Sequence, residues 1–458
     1  MYDKSLGLFI FRRDFRLYDN KGLIEALKNN DYVLPIFIMT PVQLTKNKYK
    51  SDNCVQFMFE SLLDLEEQLA EKGGKLYYFY GEPDKIIGKL IKETRTTKVY
   101  VNMDYTGYSI KRDKKIENIC KKNGVEFVSI EDLPLNPIGS IKTGDDIYLK
   151  FTPYFNKAKK IKVNEPMRNN YKNYYTKSVS NEYKGDFKRF FQINDEIWQH
   201  GGRNNALKIL GNVDEFKNYN KMRNMLNYPT TNLSAYIKFG CVSIREVYWS
   251  FKNKLGMGND LIKQLYWRDF YMNIIWRYPD SLDTSLKENY RKIKWENDVK
   301  YFNAWKKGET GFPIVDACMR QLNQTGYMHN RGRLIVSNFL IKILLNDWDK
   351  GAKYFAERLY DYDPSANSGN WQWGASTGAD SQPYFRIFNP WLQSKKFDPN
   401  GEFIKKYVPE LDDVDAKDLH KWDLVCEKYL KNGVKYFEPI VDYEKQRKDA
   451  KKMYAKIF

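Results

Sequence analysis

Over its first 130 residues the chain alternates between short runs of continuous apolar residues and longer stretches in which apolar residues recur every three or four positions. Residues 6–11, 32–39, 75–80, 98–104 and 125–130 are runs of the first kind, short and rich in β-branched and aromatic side chains, which predicts buried strands. Helical spacing opens near Asn20 and returns over 53–72, 82–95 and 110–123. Pro83 sits in the first turn of the third of these, where its missing N–H goes unneeded. Five strands with intervening helices predict a parallel, doubly wound sheet. No GxGxxG follows the first strand, so the usual dinucleotide fingerprint is absent.

The pattern dissolves between Leu133 and about Gln192 into LPLNPIGSIKTGDD and KKIKVNEPMRNNYKNYYTK, where turn residues mix with basic and aromatic ones. This reads as a connector wrapped over the surface. From about Ile193 strand periodicity is gone, and Asp260–Arg277, Pro313–Thr325 and 331–345 carry apolar residues at helical spacing. The expected fold class is α/β plus all-α: an α/β domain over 1–132, a connector over 133–192 and a helical domain over 193–458. A chain of 458 residues is long for one core and suits two. The closing KDAKKMYAKIF reads as a solvated helix end.

Charge adds a partner to this picture. The 76 Lys and Arg against 58 Asp and Glu give a formal net charge of +18, which favours a polyanion such as nucleic acid, although a lysine-rich composition that only maintains solubility explains it too. Cys54, Cys120, Cys241, Cys318 and Cys426 form no CxxC pair and read as reduced, mostly buried thiols of an intracellular protein. His200, His329 and His420 are scattered, with neither zinc-ligand spacing nor a hydrolytic set, so metal-free chemistry is expected. The N-terminal apolar run meets arginine early, and LIVSNFLIKILL is interrupted by Asn338 and Lys342; neither a signal peptide nor a membrane span is expected.

The stretch DYDPSANSGNWQWGASTGADSQPYFRIFNP, from Asp361 to Pro390, carries the most chemistry. Asp361 and Asp363 can accept hydrogen bonds from a polar heterocycle, Asn367 can do so without charge, and Trp371 can exchange an electron. Its glycines permit close backbone approach. Such a segment suits a planar redox ring beside an aromatic slot; a tryptophan-rich core turn is the plainer alternative.

Together with FRRDFRLYDNKGL near the start, that stretch and three others (NYNKMRNMLNYPTTNLSAYIKFGCVSIREVY, LIKQLYWRDFY and KGETGFPIVDACMRQLNQTGYMHNRGRL) resemble the photolyase and cryptochrome family, most closely its class I cyclobutane pyrimidine dimer photolyases. The resemblance spans nearly the whole chain. It implies FAD in the helical domain, with Tyr219, Thr230, Thr231, Leu233 and Ser234 on the phosphate side. Arg268, Asn330, Arg333, Asp361, Asp363 and Asn367 would then hold the ring and ribose. It implies an electron-transfer chain of Trp371, Trp348 and Trp295, a lesion slot walled by Trp267 and Trp373 with Met328 nearby, and DNA contacts by Arg331, Arg386 and Arg223.

The partner so implied is UV-damaged DNA, split by light through reduced FAD, and a monomer is expected. Two positions depart from the pattern. Gln264 stands where the closest members carry glutamate and where relatives that repair (6-4) photoproducts carry glutamine, yet the two histidines of those relatives fall at Asn330 and Leu334 here. Thr106 stands where folate-binding members carry glutamate, so a folate antenna is not expected; a deazaflavin, a second flavin or no antenna remain. Dimer repair is the reading, with (6-4) repair or blue-light signalling as alternatives.

Overall fold

The computed structural model describes residues 4–47 and 49–457. These residues group into two compact units, one formed by residues up to Ile193 with Gln199–Lys217 and Thr231–Pro279, the other by Asn194–Trp198, Asn218–Thr230 and residues from Asp280 on.

The first unit is built on a five-stranded sheet in the order β3-β2-β1-β4-β5, with β1 Leu6–Phe11, β2 Tyr32–Met39, β3 Tyr77–Tyr80, β4 Lys98–Asn102 and β5 Glu126–Ile130. All neighbours pair in parallel, Leu8 lying opposite Leu34 on one side and Val99 on the other. Every residue of β1 is buried, as the uninterrupted apolar runs require of a sheet covered on both faces. Helices Lys21–Lys28, Asp52–Glu71, Pro83–Thr94 and Gly107–Lys122 are the crossovers. Asn20, Ser51 and Thr106 cap three of them by accepting from Leu23, Cys54 and Ser109 backbone N–H groups.

Element ends shift for local reasons. β3 starts at Tyr77 because Gly73, at φ 72°, and Gly74, whose N–H reaches the Leu69 carbonyl, still belong to the preceding helix end. β4 stops at Asn102, whose amide turns inward to Asn20 at 2.8 Å. The connector holds a small hairpin, Lys142–Thr143 with Asp146–Ile147, and a helix, Phe151–Ala158, that the turn residues concealed. Pro153 lies in that helix's first turn, where proline is tolerated.

Two buried charge arrangements bind later helices to the sheet's loops within this unit. Arg245, in helix Ile244–Leu255, reaches Asp19 at 2.8 Å and Asp132 at 2.6 Å, and Arg16 also pairs with Asp132. On helix Asp260–Arg277, Asp269 accepts from Leu135 N–H at 2.7 Å and Asn136 N–H at 3.4 Å. Burial pushes the Asp269 carboxyl up to about 7, against the pull of the Arg268 guanidinium and the two backbone donors.

Because this folded pKa exceeds the unfolded value of about 3.9, the group's contribution is fully present below pH ~4 and is lost as pH rises through 7. Asp269→Asn is expected to flatten the fall in urea-unfolding midpoint between pH ~4 and 7; an unchanged slope would place the titration elsewhere.

The second unit is helical throughout its described residues, around a core running from Leu226 through Trp305, Phe339, Trp348 and Trp371 to Trp422. Asp316 anchors it, accepting from Thr310 N–H and Oγ1 and from the Gly311 N–H. Helix Asn330–Lys342 ends three residues before the periodicity does, since Leu345 adopts φ 51°. The tail corrects the sequence reading. Helix Tyr443–Ala455 buries Ala450 and Tyr454 completely, and the Tyr454 hydroxyl donates to the Ala375 carbonyl at 2.8 Å. Its lysines masked two small-spacing positions, four apart, that face the core.

Candidate functional site

In the second unit the chemistry gathers around the start of helix Asn330–Lys342. His329 caps this helix, its Nδ1 accepting from Arg331 N–H at 3.1 Å. Burial, then the Arg331 and Arg333 charges, hold the imidazole down at about 4, so it is neutral; its Nε2 is buried without a partner. Arg333, one turn on, donates from Nε to the Met328 carbonyl at 2.8 Å and from Nη2 to both Asp361 oxygens at 2.9 and 3.1 Å. Burial alone would lower the Arg333 pKa, but Asp361 more than compensates, fixing the charge.

Tyr327 extends this pair toward Thr230. Its hydroxyl lies 3.3 Å from Thr230 Oγ1, the Arg333 guanidinium is 5.7 Å from its ring, and Trp198 stacks on it at 5.0 Å and 14°. Trp198 carried no sequence signal beyond being aromatic. Tyr219 belongs to the same unit, with the Arg223 guanidinium 6.0 Å from its ring. Asn330 is exposed. Met328 is fully buried in the helical core, where glycine at 332 lets its side chain settle against that helix.

Asp361 leads into helix Pro364–Ala375, which Asp363 caps by accepting from Ala366 N–H at 3.1 Å and Pro364 opens at its first position. Asn367 and Trp371 follow four residues apart, on one face. Asn367 Nδ2 donates to the Ala352 carbonyl at 3.0 Å, leaving its Oδ1 as an acceptor. Trp371 meets Phe355 edge-on at 5.0 Å and Trp305 at 6.1 Å. A Cβ on Gly351 would come within 2.2 Å of the indole, so glycine is required where Trp371 packs on helix Trp348–Arg358. Trp348 opens that helix, buried; Trp295, half-buried, packs on the same core and meets Tyr454 edge-on at 5.9 Å. Trp305 was missed as a neighbour of Trp371, since its helical spacing marks it only as core.

Three arginines draw together in this unit. Arg331 is pushed down to about 10 by burial and then by Arg223 and Arg386, so like charges crowd one another here. Asn224 accepts from its Nη2 at 2.6 Å and Phe397 lies 4.3 Å beneath its guanidinium. Trp373 is half-buried.

The first unit holds the other expected residues. Thr231, Leu233 and Ser234 surround the start of the short helix Ser234–Lys238; between them Asn232 takes φ 52° and its buried Oδ1 has no partner. Gln264 and Trp267 lie one turn apart on helix Asp260–Arg277, and Arg268 donates to the Leu133 carbonyl at 2.8 Å. The Trp267 indole is stacked on Phe151 at 3.7 Å and 9°.

A five-stranded doubly wound sheet in one unit, and a helical unit with a part-buried Arg–Asp pair and clustered tryptophans, define the photolyase and cryptochrome architecture. The profile of the DNA photolyase family matches residues 8–170, and that of the FAD binding domain of DNA photolyase matches 261–456. A deoxyribodipyrimidine photo-lyase of Alkalihalophilus pseudofirmus is 36% identical over 97% of both chains. An archaeal photolyase from Sulfolobus tokodaii, whose crystal structure holds two FAD molecules, superposes with a TM-score of 0.89 at 39% identity, covering 99% of this chain and 100% of that one. A bacterial class III photolyase from Agrobacterium tumefaciens does so with a TM-score of 0.90 at 30% identity, covering 100% and 98%. The chain belongs to the DNA photolyase family.

Proposed function

We propose that the protein repairs UV-damaged DNA by splitting cyclobutane pyrimidine dimers, with light absorbed by bound, reduced FAD. The observation that carries this reading is the Arg333–Asp361 pair, followed along one helix by Asn367 and Trp371. The residues fit the cofactor. In the helical unit His329 offers a buried ring nitrogen, unsatisfied within the protein, which a hydroxyl or phosphate group of a dinucleotide can satisfy. Tyr219, Thr230, Thr231, Leu233 and Ser234 would hold its phosphate side, and Arg268, Asn330, Arg333, Asp361, Asp363 and Asn367 its ring and ribose. Bound and reduced, FAD supplies on excitation the electron that opens the dimer. The protein's task is to hold, orient and exclude water, and the fixed Arg333 charge favours an anionic ring beside it.

Trp371, Trp348 and Trp295, packed on one core, would pass electrons inward to restore the reduced cofactor. Trp267 and Trp373 would stack on the dimer. A dimer must leave the duplex to be reached, at a cost of about a few kcal/mol, a step for which photolyases are themselves a standard example. Arg223, Arg331 and Arg386, crowded despite repulsion, would offset that cost on phosphate, with affinity that falls as salt rises. Trp373→Ala is expected to weaken binding to dimer-containing DNA by roughly 1–3 kcal/mol, the worth of one stacked base, and unchanged affinity would remove it from the slot.

Dimers are favoured over (6-4) photoproducts because no histidine stands at 330 or 334, and neighbouring His329 is neutral with its Nδ1 spent on its own helix. Gln264 can hydrogen-bond a thymine but has no acid proton to give. Thr106 spends its hydroxyl as a helix cap, which supports an antenna other than folate; the two FAD molecules of the Sulfolobus relative favour a flavin. We place this activity inside the cell, in a monomer without metal. Blue light on the FAD-reduced protein should convert dimer-containing oligonucleotide to monomeric thymines and leave a (6-4) oligonucleotide unchanged. Intact dimers after illumination would overturn the reading.

A further inference from the structure

In the first unit, Trp267 does not stand alone. One indole face is covered by Phe151 at 3.7 Å and 9°, Phe155 continues the stack behind Phe151 at 5.7 Å and 15°, and the Lys159 ammonium closes it 5.1 Å from the Phe155 ring. Phe151, Phe155 and Lys159 recur every four residues along and just past helix Phe151–Ala158, so one helix face supplies the whole pile. Phe270 meets the indole in a T-shaped contact at 5.6 Å and 88°, and Tyr271 lies tilted against it at 5.5 Å and 32°. Nearly face-to-face overlap is not the arrangement two aromatic rings prefer, so the surrounding packing imposes it. Trp267 nonetheless remains half-buried while Phe151 is buried, so part of the indole stays accessible although one face is covered.

We propose that helix Phe151–Ala158 is a positioning element for lesion recognition, with Phe151 holding Trp267 in the one orientation in which its accessible part takes a flipped pyrimidine. This rests on Trp267 being a wall of the lesion slot. A tryptophan loose about its two side-chain torsions must be ordered when the base arrives, and that ordering is lost from affinity. A tryptophan already clamped on one face avoids the loss and offers a single stacking surface. The effect belongs to damaged DNA alone, because undamaged duplex keeps its bases stacked inside and is held through phosphates. Phe151 touches neither substrate nor cofactor in this account; it acts only through Trp267.

A double-mutant cycle tests this on the full-length, FAD-loaded protein, read as affinity for an oligonucleotide with one thymine dimer and for its undamaged counterpart. Phe151→Leu should weaken dimer binding roughly 3- to 10-fold, the equivalent of ordering one side chain, with undamaged binding and the repair yield of the saturated complex unchanged. Phe151→Tyr, which keeps the ring, should restore wild-type affinity. In a Trp267→Ala background, Phe151→Leu should have no further effect. Phe151→Met provides the same comparison if the leucine variant does not accumulate. Should Trp267→Ala weaken dimer binding while Phe151→Leu and Phe151→Met do not, or should Phe151→Leu cost as much without Trp267 as with it, the backing role is overturned and the slot stands. A Trp267→Ala variant with undiminished dimer affinity would overturn both.

Discussion

Arg245→Ala is expected to lower the stability of the first unit by about 3–5 kcal/mol, the usual consequence of removing one partner from a buried ion pair. Arg245 and its partners Asp19 and Asp132 are all but excluded from water, with side-chain exposures of 3%, 0% and 0%. The guanidinium also donates to the main-chain carbonyls of Asp132, at 3.0 Å, and Asp19, at 3.0 Å. Alanine therefore takes the paired cation from the Asp19 carboxylate and one of two from Asp132, and removes a donor from each carbonyl, of which that of Asp19 keeps the Arg16 guanidinium at 2.7 Å. Arg16 still neutralises Asp132, but Asp19 keeps only hydroxyl and backbone hydrogen-bond partners, among them Ser243. Urea unfolding of the variant would measure the loss. A loss below about 1 kcal/mol would mean that water enters and replaces the pair, and the network would then contribute little. Arg245→Met should recover almost nothing, since volume is not what is lost.

That network also shows where the sequence is legible and where it is not. The central strands β1 and β2 stand out because each is a continuous apolar run buried on both faces, and they occupy the residues their pattern outlines. Asp19, Asp132 and Arg245 belong to no such pattern: they lie in loops and on a helix flank, more than a hundred residues apart, and only the folded chain makes them partners. The same holds for helix Phe151–Ala158, whose apolar face is spent on aromatic stacking and whose proline and lysines read as connector. Around the candidate site, residue types at close spacing carried the signal, as in the Asp363, Asn367 and Trp371 series along one helix. Long-range neighbours did not. Trp305 beside Trp371, Trp198 on Tyr327 and the burial of Met328 arise from packing between helices that local spacing does not encode.

Trp371→Phe should abolish light-driven reduction of the oxidised cofactor while leaving dimer repair by chemically pre-reduced protein close to wild type. The separation follows from the position of this residue. Trp371 is buried at 2% exposure, inside a core shared with Trp348 and Trp295, so it can relay charge yet has no face to offer a base in DNA. Phenylalanine keeps an aromatic ring against Phe355 and Trp305, so the structural cost should stay within about 1–3 kcal/mol, the usual range for a single substitution. A benzene ring, however, gives up an electron far less readily than an indole, and the relay stops at its first step. Transient absorption after a blue flash, followed by a dimer-repair assay on the pre-reduced variant, measures the two halves separately. Equal loss in both assays would mean that Trp371 supports the site's shape and not a relay. Trp348→Phe and Trp305→Phe then decide the direction of the path. Loss of photoreduction in the former alone keeps the route through helix Trp348–Arg358, whereas loss in the latter alone redirects it through the edge-on ring of Trp305.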